Sequence, residues 1–169
     1  MHKKVHIFYK LVLLVLVCVN TSCNKNKEEL EQFERIDNLL SSNKDNMAVE
    51  LFNQIVAPQD SSENLAFYNY ILTRIKCRKN EILEPEKLDF SIKWLTEKKD
   101  YHRLAYAYIY KSKLFLDYSL DKYNALIYND KAEKLLQNIN DDVLKYNVYS
   151  HRSYIAMFYY DTDACKKYS

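Results

Sequence analysis

Apolar side chains recur at steps of three and four residues along most of the chain, which is the spacing of one face of an α-helix. The clearest of these stripes consists of Ala125, Tyr128, Ala132, Leu135 and Ile139. Polar clusters and two prolines, Pro58 and Pro85, separate the stripes from one another. The pattern therefore predicts an all-α chain of eight helices, and the short loops between them imply that consecutive helices pack antiparallel.

Turn and capping signals set the predicted boundaries of these helices. Residues 30–58 are predicted to form one helical hairpin, and the polar run 60–63 offers an N-cap to the helix that follows. Pro85 opens a further helix at a position where its missing N–H does no harm. The run 140–142 is predicted to cap the seventh helix, and the eighth is predicted to begin near Asp161.

Segments of the chain resemble one another at distances of 34 and 39 residues. Segments 91–94 and 125–128 lie 34 positions apart and share a small, an aliphatic and an aromatic residue in the same order. Segments 65–67 and 104–106 lie 39 positions apart and open two odd-numbered helices. A period of this length with alternating helices is typical of a solenoid of helical hairpins.

Residues in this period resemble the tetratricopeptide repeat (TPR), which has alternating aromatic and small residues in its first helix and two alanines in its second. The first-helix positions are Tyr108, Ser112 and Phe115. The second-helix positions are Ala125 and Ala132, and a partial next copy has Tyr149, Ser153 and Ala164. The resemblance implies that these residues pack neighbouring helices.

The resemblance to the TPR covers residues 62–169, and the stretch 102–112 is most similar to TPR lipoproteins and membrane-anchored TPR regulators of Gram-negative bacteria. It implies a right-handed solenoid of about four antiparallel hairpins, the last one incomplete. Residues 30–58 would be a degenerate capping hairpin. Because the eighth helix is short and carries no polar cap, we expect the array to be truncated at its C-terminus.

The same resemblance implies a concave groove lined by the first helix of each hairpin. The matching positions are Tyr70, Arg74, Tyr106, Lys113, Asn147 and Tyr154. Two bases beside tyrosines and an amide would suit an extended peptide with acidic groups or a carboxylate end. The alternative is that Arg74 and Lys113 only make an exposed face soluble.

The composition excludes several classes of enzyme. The 169 residues include no glycine, which the P-loop, the GxGxxG turn, the GxSxG elbow and the EF-hand all require. His102 and His151 show none of the spacings typical of metal ligands, and we interpret them as surface or packing residues. Cys77 and Cys165 are interpreted as small buried side chains rather than a disulfide. We expect a non-enzymatic protein without a metal or cofactor.

Residues 1–22 have the pattern of a secretory signal peptide, with a basic start and a nine-residue apolar run at 11–19. The Thr-Ser-Cys sequence that ends at Cys23 resembles the lipobox of bacterial lipoproteins. That resemblance implies that Cys23 is lipidated and that residues 23–29 form a polar tether. By analogy with the family, Asn24 favours the outer membrane, with the protein facing the periplasm. A plainly secreted or membrane-tethered chain is the alternative.

Two functions follow from these observations. After residue 22 the chain has 22 basic and 23 acidic residues, so it lacks the basic excess of a nucleic-acid binder. The first hypothesis is a non-enzymatic, lipid-anchored TPR scaffold that mediates protein–protein interaction in the cell envelope, with a protein or peptide of unknown identity as its partner. The alternative is the N-terminal sensor portion of a larger membrane-anchored TPR signalling or transcription regulator.

Overall fold

The structure of the chain is a computed structural model that describes residues 27–59, 62–81 and 83–168, with side chains up to Met157. These residues form seven α-helices and two 3₁₀ turns and contain no strand, which confirms the all-α prediction for the part described. The helices are α1 (27–41), α2 (Asp45–Phe52), α3 (Glu63–Arg78), α4 (Asp89–Lys98), α5 (Tyr101–Ser119), α6 (Lys122–Leu135) and α7 (Asp142–Tyr168). The chain divides into two compact units, the first ending at Ile55 and the second beginning at Val56.

The first unit contains α1 and α2, which are joined by a tight turn. Asn43 takes a left-handed conformation there, with φ of 55°, and asparagine tolerates this conformation better than most residues. The apolar side chains buried on the two helices are Phe33, Ile36, Leu40, Ala48 and Phe52. The region thus contains two helices, but residues 27–29, expected in a tether, are helical, and α2 ends at Phe52 rather than near Pro58.

In the second unit, side chains at the predicted positions cap the helices. The Ser62 hydroxyl accepts a hydrogen bond from the Leu65 N–H at 3.4 Å at the start of α3, and the Asp141 carboxylate accepts one from the Leu144 N–H at 2.9 Å at the start of α7. Such bonds satisfy backbone donors that a helix leaves open at its N-terminus. Pro85 begins the 3₁₀ turn Pro85–Leu88, which leads directly into α4.

After three helices of this glycine-free chain, a residue other than glycine adopts the left-handed conformation that glycine usually adopts at this position. Asn80, Lys99 and Leu120 have φ values of 55°, 58° and 52° after α3, α4 and α5. A side chain with a Cβ carries a steric cost in this conformation. The tight connections of this unit are therefore built without the residue that suits them best.

Helix α6 runs antiparallel to α5 and α7, which run parallel to each other. One buried cluster joins the first half of α5, the second half of α6 and the first half of α7, and it contains Ala105, Ile109, Ala132, Leu136, Leu144 and Val148. A second cluster lies further along α5 and contains Leu116, Ala125 and Ile155. Ala125 and Ala132 are fully buried, as the repeat pattern predicted, and their small size lets the helices approach closely.

Helices α3 and α4 form a second antiparallel pair. The Ser91 hydroxyl of α4 donates a hydrogen bond to the carbonyl oxygen of Ala66 in α3 at 2.6 Å. At one end of the same pair, Lys98 lies 3.1 Å from Glu63. Residues near the end of α3 contact α5, where Cys77 packs against the cluster that contains Leu114. Helices α3 and α7 both contact α5.

The predicted eighth helix is wrong, because α7 continues without a break from Asp142 to Tyr168. The polar residues near Asp161 resemble a helix start, but no proline or glycine interrupts the chain there, and polar residues alone do not end a helix. Among the described helices, none is both long enough and apolar enough to cross a membrane. The predicted signal peptide and Cys23 lie outside the described residues.

Two of the packing residues predicted for α7 from the partial repeat are also wrong, because they lie on the exposed face of this helix. Tyr149 is 51% exposed and Ser153 is exposed as well, so neither packs between helices. The buried face of α7 instead consists of Leu144, Val148, His151 and Ile155. The Ala164 side chain, the third packing position of that copy, lies outside the described side chains.

Candidate functional site

A groove formed by α3, α5 and α7 contains two adjoining cavities of about 370 Å³ and 210 Å³. The larger cavity is lined by Cys77, Asn80, Lys113, Asp117, Ser150, His151 and Tyr154. The smaller is lined by Cys77, Arg78, Tyr106, Ile109, Tyr110, Lys113 and Asn147. Cys77 and Lys113 line both cavities, so the two form one surface, which we call the α3–α5–α7 groove.

Four of the six predicted groove residues line these cavities. Lys113 contributes to both, Tyr106 and Asn147 to the smaller one, and Tyr154 to the larger one. These four residues come from two helices that are separated by the whole of α6 in sequence. The sequence prediction therefore identified side chains that the tertiary structure brings together.

The other two predicted groove residues, Tyr70 and Arg74, line neither cavity. Tyr70 is fully buried and Arg74 is 2% exposed, so neither presents its side chain to a ligand at the surface. The Arg74 guanidinium lies 5.7 Å from the ring centroid of Tyr70 and 5.3 Å from that of Tyr106. The alternative prediction, that Arg74 makes an exposed face soluble, is wrong as well, because the Arg74 side chain is buried against Tyr106 of the groove.

The charged groups of the groove are Lys113, Arg78 and Asp117. Burial raises the pKa of the Asp117 carboxyl above its ordinary value, and Lys113 acts in the opposite direction. Burial also raises the pKa of the Cys77 thiol to about 12, against the effect of Lys113 and with that of Asp117. A thiol with this pKa stays protonated at neutral pH and is a poor nucleophile. The groove therefore offers cations and hydrogen-bonding groups rather than a reactive sulfur.

His151 lines the groove, whereas the sequence predicts that it is a surface or packing residue. It is 6% exposed and lies on the buried face of α7. Its Nε2 lies 2.9 Å from the hydroxyl oxygen of Ser112 in α5, and that hydroxyl donates to the carbonyl oxygen of Ala125 at 2.5 Å. Burial, aided by the charge of Lys113, lowers the pKa of His151 to about 4.

A signal for His151 was present in the sequence. The residue continues the stripe of Leu144 and Val148 at the next helical step, and Ile155 follows it. The resemblance to the TPR instead implied that Ser153 is the packing residue of α7 equivalent to Ser112. The partner of Ser112 in α7 is therefore a histidine that helical periodicity alone would have placed on the inner face.

His102 lies beside Tyr106 of the groove, near the start of α5 and α7. Its Nε2 lies 2.8 Å from a carboxylate oxygen of Asp141, and its ring meets that of Tyr106 edge-on at 5.4 Å. Burial raises the pKa of Tyr106 to about 12, and Asp141 adds to this effect. In the part of the chain that the structure describes, no group of three or more histidine, cysteine or acidic side chains is arranged to hold a metal ion.

On the other side of α5, Lys111 is buried and forms an ion pair with Asp89 at the start of α4. Its ammonium lies 4.8 Å from the ring centroid of Tyr128 and 5.7 Å from that of Phe115. The rings of Phe115 and Tyr128 stack at 5.5 Å, and Tyr108 lies 6.0 Å from Tyr128. Tyr108 and Phe115 thus pack between helices, as the repeat pattern predicted, and they surround a buried cation.

No known family model matches the chain, and no curated protein or solved structure matches it either.

Proposed function

We propose that this protein is a non-enzymatic, lipid-anchored, TPR-like scaffold that binds an extended acidic peptide segment of a partner protein in the α3–α5–α7 groove. The observation that carries the proposal is that Lys113, Tyr106, Asn147 and Tyr154 line two adjoining cavities of that groove. These positions were derived from the TPR pattern alone. The cell envelope, on the periplasmic face of the outer membrane, is its proposed location.

The charges of the groove favour an acidic ligand. Lys113 and Arg78 line it, and Asp117 is the one acidic residue among the described side chains that do so. Electrostatic complementarity of this kind selects the sign of the partner and speeds its association. Tyrosine side chains add rigid contact area because they have few rotatable bonds.

The residues of the groove also favour binding over catalysis. Cys77 is a protonated thiol, and His151 is neutral and hydrogen-bonded to Ser112. A nucleophilic site needs an activated nucleophile beside a base, and the raised pKa of Cys77 opposes that role. Side chains that donate or accept hydrogen bonds remain, and they suit recognition of a peptide.

The packing of the second unit supports a TPR-like array. The pairs α3/α4 and α5/α6 are antiparallel, and α3, α5 and α7 contribute to a common groove. A right-handed solenoid of helical hairpins has its first helices on the concave side. The proposed array is such a solenoid, in which α7 is the first helix of the next hairpin.

The proposed anchor is a lipid on Cys23, after removal of residues 1–22. Replacing Cys23 by Ala should abolish incorporation of labelled fatty acid and move the protein from the membrane fraction to the soluble fraction. Cys18→Ala is the matched control, because Cys18 is the other cysteine in this part of the chain. Loss of labelling in Cys18→Ala instead of Cys23→Ala would contradict this proposal, because Cys18 would then be the lipidated cysteine.

One observation favours the alternative, a sensor portion of a larger TPR regulator. Helix α7 exposes three large side chains on one face, namely Val143, Tyr146 and Met157. A further helix packed on this face would bury them, as α6 buries the inner face of α5. Determining the DNA sequence downstream of the codon for Ser169 would test this alternative, since a regulator requires a transmembrane helix and an output domain to follow.

Peptide arrays test the binding function directly. We expect the detergent-solubilised full-length protein to bind acetylated, amidated heptapeptides with a central Asp better than the matched peptides with a central Asn. Lys113→Ala should remove this preference, whereas Lys134→Ala, at an exposed position of α6, should retain it. Equal binding of the Asp and Asn peptides by the unmodified protein would refute the proposed function.

A further inference from the structure

We propose that His151 is a specificity-determining residue of the α3–α5–α7 groove, in which its Nδ1 accepts a hydrogen bond from a backbone N–H of the bound peptide. The inference rests on the proposed function and names the chemistry by which the groove recognises a peptide main chain beside an acidic group. It is carried by the hydrogen bonds that determine which nitrogen of His151 bears a proton.

The bonds of Ser112 determine the tautomer of His151. The Ser112 hydroxyl has one proton, and its oxygen lies 2.5 Å from the carbonyl oxygen of Ala125. A carbonyl oxygen can only accept, so the proton of Ser112 must lie on this short contact. The hydroxyl oxygen then has only lone pairs to offer His151, whose Nε2 at 2.9 Å must be the donor.

A neutral imidazole carries a proton on one nitrogen only. With the proton on Nε2, the Nδ1 of His151 bears a lone pair. Among the described residues, the contact with Ser112 is the one hydrogen bond of the His151 ring. The ring lines the larger cavity, and Nδ1 is therefore the nitrogen with which it can receive a donor from a ligand.

The surroundings of His151 keep the ring neutral, which preserves this acceptor. The titratable groups that line the same cavity are Lys113 and Asp117 of α5, Cys77 of α3 and Tyr154 of α7. Burial and the charge of Lys113 both lower the pKa of His151, to about 4. A protonated ring would donate from both nitrogens and would repel a ligand N–H.

The position of Lys113 defines the ligand further. Lys113 lines the same cavity as His151, so one ligand can meet a cation and a neutral acceptor together. An extended peptide satisfies both when a carboxylate side chain lies next to a free backbone N–H. A cavity of about 370 Å³ accommodates a short stretch of such a peptide rather than a folded element.

Two substitutions distinguish the roles of the two nitrogens of His151. In His151→Gln the side-chain amide can still donate to Ser112, because its nitrogen reaches the position of Nε2, but no acceptor remains at the position of Nδ1. In His151→Asn the shorter amide has an atom near the position of Nδ1 and loses the contact with Ser112. The first variant therefore tests the recognition role with the internal bond retained.

The first experiment needs no ligand. Nitrogen-15 NMR of the imidazole in the full-length protein at neutral pH should show a protonated Nε2 and an unprotonated Nδ1 for His151. The resonance is assigned by its loss in His151→Gln. Observation of the opposite tautomer would overturn the inference, because Nδ1 would then be a donor.

The second experiment uses the best-binding Asp-centred heptapeptide from the array and a series of variants with one backbone amide N-methylated. We expect one methylation to weaken binding to the unmodified protein by about tenfold, the effect of one lost hydrogen bond. The same methylation should have no effect on binding to His151→Gln, and Lys134→Ala should respond as the unmodified protein does.

The outcomes distinguish this inference from the proposed function. If the unmodified protein prefers Asp-centred peptides but every methylation affects His151→Gln and the unmodified protein equally, the role of His151 is refuted and the proposed function stands. If no Asp-centred heptapeptide binds preferentially, the proposed function fails and the inference fails with it.

Discussion

The guanidinium of Arg74 lies 5.3 Å from the centroid of the Tyr106 ring, so that a buried cation of α3 supports a tyrosine of the groove from behind. Arg74 is 2% exposed, whereas Lys113 is only partly buried and lines both cavities. Cation–π contacts of this kind contribute about 2 kcal/mol when they are shielded from water. The two bases that the sequence predicted for one groove therefore have different roles.

This difference predicts opposite results for two alanine substitutions. Arg74→Ala should lower the free energy of unfolding by about 2 kcal/mol or more, because it removes buried packing as well as the contact with Tyr106. Lys113→Ala should change it by less than about 0.5 kcal/mol while weakening binding of acidic peptides. Urea denaturation measures the first effect, and an unchanged midpoint for Arg74→Ala would contradict the buried role of this residue.

Ala132 is fully buried where α5, α6 and α7 meet. Ala132→Leu should overpack this contact and lower the free energy of unfolding by about 1–3 kcal/mol. The matched control is Ala156→Leu, at an exposed position of α7, which should be close to neutral because both residues are good helix formers. Equal thermal midpoints for the two variants would contradict the packing described for α6.

Asn129 is fully buried in α6, between Ala125 and Ala132, and neither its amide oxygen nor its amide nitrogen has a hydrogen-bond partner among the described residues. Burying an unpaired amide costs about 1–3 kcal/mol. Asn129→Val should therefore raise the thermal midpoint, since valine and asparagine have similar helix propensities. Asn38→Val, at an exposed position of α1, serves as the control, and a lower midpoint for Asn129→Val alone would contradict this account.

The burial of His151 predicts a loss of stability in acid. Its pKa is about 4 in the folded protein against 6.5 as the ordinary value, so the unfolded chain binds the proton more readily between these pH values. The contribution to stability is fully present above pH 6.5 and is lost as the pH falls towards 4, by as much as about 3 kcal/mol. Urea denaturation at a series of pH values measures this loss.

His151→Gln provides the control for the acid effect. This variant retains a donor for Ser112 but cannot take up a proton, so its stability should depend less on pH between 6.5 and 4. Carboxyl groups that titrate in both proteins cancel in the comparison. Parallel pH profiles for the two proteins would show that His151 titrates alike in the folded and unfolded chains.

Local sequence was sufficient to predict the seven α-helices of the described residues, although the expected eighth is a continuation of α7. The apolar periodicity and the capping residues Ser62 and Asp141 determine where helices lie and where several of them begin, because these signals act within one or two turns of the chain. The resemblance to the TPR implied packing roles for Ser112, Ala125 and Ala132, and all three are fully buried. The helices and their capping residues depend on neighbours in sequence and so can be derived from it.

Tertiary structure decided which side chains of different helices meet. Repeat spacing placed Ser153 at the packing position of α7 that is equivalent to Ser112 in α5, but the structure buries His151 instead, with its Nε2 2.9 Å from the Ser112 hydroxyl oxygen. The same kind of contact buries Arg74 behind Tyr106 and leaves Lys113 in the groove. A helical stripe shows which residues of one helix share a face, and only the packing of the helices decides which side chains of the neighbouring helices that face meets.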